Sequence, residues 1–232
     1  MTRRFDLEQE SRKFGDHLSG LLNGTICTGI RLTSVVSTYS RDRTVVGYQI
    51  SKHNQDLTDG IPVTIGRSPA NFYLGLSVHL APDSYTEHLM VTQSVMILAN
   101  NPDVGNDSNV LLHYDYERNK ADDYPEAHLQ ICANSKAWEN AGKRLDGSKR
   151  LLERLHLPVG GRRFRPTLED LVEFLVREKL TEPQPNWQSV LEESRLGFHE
   201  KQLRAAVRRN PETAADQLRK QGYSVIDFNV SE

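Results

Sequence analysis

The stretch VLLHYDYERNKADDYPEAHLQI, residues 110–131, decides the fold class because apolar and polar side chains alternate along both of its ends. In its first run the apolar positions are Val110, Leu112, Tyr114 and Tyr116. In its second run they are Ala127, Leu129 and Ile131. Successive side chains of a β-strand point to opposite faces of the sheet. Two such runs around a polar loop therefore predict an antiparallel hairpin with one buried face.

The polar face of this hairpin carries side chains that can bind a metal or transfer protons. A one-residue slip would put half of the apolar positions in water, so the two apolar faces are expected to coincide. That register places His113, Asp115 and Glu117 on one face. It brings Glu126 and His128 to the same face, within about 5 Å of their cross-strand neighbours.

Two imidazoles and up to three carboxylates on one small surface allow two interpretations. Imidazole and carboxylate together suit Zn, Mn or Fe, and a His/Asp pair can also transfer protons near neutral pH. A metal-dependent hydrolase or nuclease would use His113, Asp115 and His128 both as metal ligands and as catalytic residues. The simpler interpretation is a solvated sheet face, where these residue types are ordinary.

The rest of the chain predicts an α+β fold. Residues 5–22 have apolar positions at helical spacing, and strand-like runs follow. Those runs are Ile26–Tyr39, Thr44–Ser51, Asn71–Leu80 and His88–Ala99. The short connections between them predict an N-terminal helix on a mainly antiparallel β-meander. We expect a β-rich domain over residues 1–135 and a helical domain over residues 136–232, and whether they pack as one unit stays open.

Three segments of the C-terminal part predict helices. Thr167-Leu168-Glu169-Asp170 resembles a capping box, and Leu168, Leu171, Val172 and Leu175 form one apolar stripe behind it. A second helix is expected over residues 186–209. Asn210-Pro211 opens a third, which Gly222 ends. The expected inward positions of the second helix are Trp187, Val190, Leu191, Leu203 and Val207.

A basic segment precedes these helices. Gly160-Gly161-Arg162-Arg163-Phe164-Arg165-Pro166 leads into the first of them, and we call Arg162, Arg163, Phe164 and Arg165 the arginine loop. Arginine binds phosphate through a bidentate fork, and a phenyl ring can stack on a base. Phosphate, nucleic acid or an acidic protein is therefore a coherent partner. In the alternative interpretation the arginines pair with Glu169, Asp170 and Glu173 nearby.

Composition and net charge limit the functional classes to which the protein can belong. The chain has 232 residues and a net charge of −2, so its overall charge does not favour coating nucleic acid. The two cysteines, Cys27 and Cys132, cannot form a zinc site by themselves and are expected to be buried thiols. The N-terminus lacks an apolar signal region, and no window approaches the roughly 20 apolar residues of a membrane helix. We therefore expect a cytoplasmic protein without a membrane partner.

Three phrases resemble a group of actinobacterial hypothetical proteins. They are PEAHLQI at Pro125–Ile131, LHLPVGGRRFRPTLEDLVEFL at Leu155–Leu175 and QLRAAVRRNPETAADQLRKQGYSV at Gln202–Val225. The resemblance covers mainly the C-terminal half. It implies an actinobacterial, intracellular setting, and it assigns no activity and no catalytic residue.

Three functional hypotheses follow from the sequence. The favoured one is an intracellular, non-catalytic binding protein without a cofactor, whose arginine loop contacts phosphate, nucleic acid or an acidic partner. The alternative is the metal-dependent hydrolase or nuclease, with a divalent metal held by the hairpin. A small-molecule-binding meander is a third, because the run 88–99 is apolar on both faces.

Overall fold

A computed structural model of the chain describes residues 5–38, 40, 42–66, 69–121, 125–133, 156–159 and 166–226. The helices are α1 (Leu7–Thr25), α2 (Leu168–Arg177), α3 (Trp187–Arg209) and α4 (Pro211–Lys220). The strands are β1 (Leu32–Val36), β2 (Thr44–Tyr48), β3 (Ile61–Pro62), β4 (Tyr73–Pro82), β5 (Leu89–Ala99), β6 (Val110–Glu117), β7 (Ala127–Ile131) and β8 (Leu157–Pro158). The predicted arginine loop lies outside the described residues.

The strands form one antiparallel sheet. Seven of them follow the order β1-β2-β4-β5-β6-β7-β8, and β3 pairs with β4 beside this path. The predicted α+β class and the meander are therefore confirmed. Two strands were missed: β3 lies between the predicted runs Thr44–Ser51 and Asn71–Leu80, and β8 lies in the part of the chain expected to be helical. Each of them is two residues long, too short to show an alternation.

Helix α1 covers one face of the sheet. The carboxylate of Asp6 accepts a hydrogen bond from the backbone N–H of Gln9 and caps the helix, which buries Leu18, Leu21 and Leu22. The helix runs past residue 22, the end of the predicted helical pattern, and ends at Thr25. A Cβ at Gly24 would lie 3.0 Å from Cγ1 of Val190, so this glycine lets α3 approach closely.

Helices α2 and α3 complete the same core. The predicted stripe of Leu168, Leu171, Val172 and Leu175 is buried, and it belongs to one apolar cluster with α1 and the sheet. The expected capping position is also confirmed in part, because the N–H and the hydroxyl of Thr167 both donate to Asp170.

The second half of α3 differs from the prediction. Leu191 is buried, but Leu203 and Val207 are 65% and 46% exposed, so their assignment as inward positions was wrong. Their helical spacing matched an amphipathic face, but in the structure these two side chains are exposed to solvent. Residues 223–226 form no strand.

The cysteines and the membrane prediction can be compared directly with the structure. Cys27 is buried, and burial raises the pKa of its thiol to about 12, against a smaller lowering by the backbone of Thr64. Cys132 is only partly buried. Among the described helices none is long and apolar enough to cross a membrane.

Candidate metal centre

The hairpin of β6 and β7 presents its polar residues on the face turned away from the helices. Asp115 lies directly opposite His128, and His113 lies opposite Gln130. Tyr114 and Tyr116 alternate with them and point to the core side, where Tyr116 is 2% exposed. The predicted register is confirmed, and it brings His113, Asp115 and His128 together.

The three side chains surround one point. Oδ2 of Asp115 lies 3.4 Å from Nε2 of His113 and 3.4 Å from Nε2 of His128. One potential ligand atom from each of the three residues lies within 4.8 Å of the others. Good N–H···O hydrogen bonds are about 2.7–3.2 Å long, whereas ligands 2.0–2.1 Å from a tetrahedral metal are separated by about 3.3 Å. The two separations from Asp115 are close to the edge of a coordination tetrahedron, and the separation between the ligand nitrogens of the two histidines is at most 4.8 Å.

The ring orientation of His128 supports the same interpretation. Its Nδ1 makes a long contact of 3.4 Å to the carbonyl oxygen of Pro125, which can only accept a proton. With the proton of a neutral ring on Nδ1, Nε2 presents a lone pair toward the carboxylate of Asp115. Two lone pairs repel each other unless a proton or a cation lies between them. Metal-bound histidines commonly hold their second nitrogen against a backbone carbonyl in this way.

One carboxylate oxygen of Asp115 can still accept a hydrogen bond or bind a cation. Its Oδ1 is buried and makes no hydrogen bond to any of the described residues, although the side chain as a whole is 32% exposed. A buried carboxylate oxygen without a donor is expensive, so such an atom calls for an explanation. A bound cation would satisfy it.

His113 has a competing partner. Its Nε2 lies 3.1 Å from Oε1 of Gln130, so in one tautomer the ring donates to that amide. Metal binding requires the other tautomer, with the proton on Nδ1, and a turn of the Gln130 side chain. The site is therefore nearly but not fully arranged for a metal.

His156 is a fourth imidazole at this place. Pro158 of β8 pairs with His128, and the ring of His156 meets the ring of His128 edge to face, with 4.6 Å between centroids. Burial lowers the pKa of His156, and the nearby His128, Lys120 and His113 lower it further, against the opposite effect of Asp115. The sequence does not predict that His156 joins this group, because its position depends on the two-residue strand β8.

The two remaining predicted carboxylates do not join the cluster. Glu126 accepts a hydrogen bond from the backbone of Asn119, and Glu117 pairs with Lys120 at 4.0 Å. Both lie at the loop end of the hairpin, beyond the last register pair of Tyr116 and Ala127. They stabilise the connection rather than the site.

The carboxylates proposed as partners of the arginine loop already contact α3. Arg195 pairs with Asp170 at 3.1 Å and with Glu173 at 2.6 Å, and these contacts raise its pKa against the effect of burial. The carboxylate of Glu169 accepts from Ser194. The arginine loop lies outside the described residues, so its role in binding stays a prediction.

A cavity also opens over β4 and β5. It has a volume of about 480 Å³ and is lined mainly by polar side chains, Ser37, Ser40, Asp42, Arg43, His79 and Gln93. Burial lowers the pKa of His79, and the charge of Arg43 lowers it further. This lining differs from the apolar internal pocket that the small-molecule hypothesis expected.

Comparison with known proteins gives no further information about this site. No protein-family model, no curated protein and no solved structure matches the chain.

Proposed function

We propose that this chain is a divalent-metal-binding protein, with the ion held by His113, Asp115 and His128. The observation that carries the proposal is the position of Oδ2 of Asp115, 3.4 Å from the Nε2 atoms of both histidines. The unpartnered Oδ1 of Asp115 and the carbonyl behind His128 support it.

The ligand types favour one class of ion. Two imidazoles and one carboxylate suit Zn, Mn or Fe, whereas Mg and Ca prefer sites built from oxygen alone. His128 is almost fully buried, and His113 and Asp115 are 22% and 32% exposed. An ion can therefore enter from the side of His113 and Asp115 while the opposite side stays dry.

A metal-dependent hydrolase is the second candidate. Catalytic zinc sites have three protein ligands and keep one position for water or substrate, and the exposed edge of Asp115 leaves such a position. This candidate requires the same three residues and adds the condition that no fourth protein ligand occupies the open position.

Direct titration tests both candidates. Protein made without a polyhistidine tag and stripped of metal would be titrated with Zn²⁺ and Mn²⁺, followed by metal analysis after dialysis. We expect about one equivalent for the native chain, and a Kd at least about tenfold higher for Asp115→Ala, since ligand loss exceeds the effect of losing a ligand's supporting contact.

Glu117→Gln is the matched control, because Glu117 lies on the same strand and face but outside the cluster. Its Kd should stay within about twofold of the native value, well inside one tenfold step of about 1.4 kcal/mol. Absence of saturable binding in the native chain would refute the proposal. Assays of the same samples on an activated phosphodiester test hydrolysis, which must depend on both metal and Asp115.

A further inference from the structure

His156 stands beside the three proposed ligands and has no role in the function proposed so far. Its ring centroid lies 4.6 Å from that of His128, and the two rings are inclined at 71°. Two imidazoles bound through nitrogen to one metal, with ligand–metal–ligand angles of 90–110°, have centroids about 4.5–5.2 Å apart. The observed separation falls within this range, which also overlaps the ordinary spacing of edge-to-face rings.

We propose that His156 is the fourth protein ligand of the metal, so that the complete set is His113, Asp115, His128 and His156. This inference rests on the function proposed above. His156 is not among the three residues whose ligand atoms already lie within 4.8 Å of one another, so rotation of its side chain must complete the fourth bond.

The position of β8 explains why a fourth ligand would be useful. The strand pairs with β7 at two positions, His128 with Pro158 and Leu129 with Leu157. Two residue pairs at the edge of a sheet give little stability by themselves. A metal shared by β6, β7 and the start of β8 would fix this edge. It would also close the coordination shell, and sites with four protein ligands are typically structural.

Cobalt substitution would test the assignment. Four-coordinate Co²⁺ absorbs more strongly in the visible range than Co²⁺ with more ligands, so the spectrum reports geometry independently of activity. We expect His156→Ala to lower Co²⁺ and Zn²⁺ affinity at least about tenfold and to weaken the visible bands. His53→Ala, which removes an exposed loop histidine, should change neither.

A cysteine at the same place gives the decisive signature. Thiolate binds Zn²⁺ and Co²⁺ well, so His156→Cys should recover much of the affinity lost in His156→Ala. It should also add a near-ultraviolet thiolate-to-cobalt band that the native chain lacks. Circular dichroism of each metal-free variant would confirm that it is folded.

The outcomes separate the two proposals. If the native chain binds neither ion, the metal-binding function fails and this inference fails with it. If the native chain binds but His156→Ala binds equally well, and His156→Cys shows no new band, only the fourth ligand is overturned. Lost affinity in His156→Ala, with the new band in His156→Cys, supports both.

Discussion

Among the described residues, Glu169 of α2 carries a carboxylate that is almost fully buried. It is 6% exposed, and its carboxylate accepts a 2.5 Å hydrogen bond from the hydroxyl of Ser194, itself 7% exposed. Because that hydroxyl has given its only proton to Glu169, it must accept from Nε2 of His17 at 3.0 Å. One residue from each of α1, α2 and α3 thus forms a chain of hydrogen bonds.

Replacement of Ser194 by alanine should destabilise the fold. It leaves the buried carboxylate of Glu169 without its donor, which costs about 1–3 kcal/mol of unfolding free energy. Urea unfolding would measure the loss. Ser189→Ala on the exposed side of the same helix serves as control, because its hydroxyl makes only a local bond to the carbonyl of Asn186. Equal stability of the two variants would show that the hydrogen-bond chain contributes little.

The sequence predicts the core of the candidate site at this scale, but not all of it. His113, Asp115 and His128 could be placed together because strand alternation and one register suffice to align them. The unpartnered Oδ1 of Asp115 and the ring orientation of His128 depend on atomic positions that no pattern encodes. The contact of His156 depends on where a two-residue strand joins the sheet edge.

At the scale of elements, Gly60 lies where the segment before β3 contacts the loop between β5 and β6. Its N–H donates to the carbonyl of Pro102 at 2.8 Å, and the N–H of Val104 donates to Thr58. A Cβ at Gly60 would lie 2.7 Å from Cγ1 of Val104 and 2.8 Å from Cβ of Tyr73. No side chain fits between these loops without displacing one of them.

Gly60→Ala should therefore lower the unfolding free energy by about 1–3 kcal/mol through overpacking. Gly20→Ala is the opposite case, because nothing lies within 4 Å of a Cβ at that helical position. It should stabilise α1 by up to about 1 kcal/mol, the difference in helix propensity. Thermal unfolding of the two variants would measure both changes in stability. If Gly60→Ala is as stable as the native chain, the space around Gly60 is not too small for a Cβ.

Element type could be predicted where a pattern extends over several residues. The runs that became β4 and β6 are 10 and 8 residues long and alternate clearly, and the 11 residues of β5 form a long run that is apolar on both faces. Strands β3 and β8 have no period to detect. The exposed half of α3 shows a different limit: Leu203 and Val207 have the spacing of a buried face, but burial depends on what lies opposite.

At the scale of the whole molecule, one ion-pair cluster ties the far end of α3 to the turn between β4 and β5. Arg208 lies 3.6 Å from Asp83 and 2.9 Å from Glu87, and its guanidinium lies over the ring of Tyr85. Asp83 also accepts from the N–H groups of Glu87 and His88. These contacts link segments more than 100 positions apart.

The pH dependence of stability should report this cluster. Burial acts to raise the pKa of Asp83, but the N–H donors, Arg208 and His88 outweigh it and hold that pKa below its usual value. A depressed pKa stabilises the fold above the ordinary aspartate range, and this contribution is lost as pH falls through the pKa of the folded state. Asp83→Asn should therefore be less stable than the native chain at pH 7 by about 0.5–1.5 kcal/mol.

The difference should shrink as urea unfolding is repeated at pH 5.5, 4 and 3. Asp107→Asn, at an exposed 3-10 turn, is the control and should track the native chain throughout. If the stability of Asp83→Asn stays below that of the native chain by a constant amount down to pH 3, the side chain acts through its shape rather than its charge.

The short pairing of β8 with β7 has a consequence for the order of folding. Asp115 and His128 are 13 positions apart and belong to one hairpin, which can form quickly from local contacts. His156 lies 28 positions beyond His128, so joining it closes a much larger loop. An ion bound by both the hairpin and His156 would stabilise the folded chain because it binds that state and not the unfolded one, by an amount that grows with the ratio of free ion to Kd. The metal would then slow unfolding more than it speeds folding, and metal supply in the cell would set the lifetime of the folded chain.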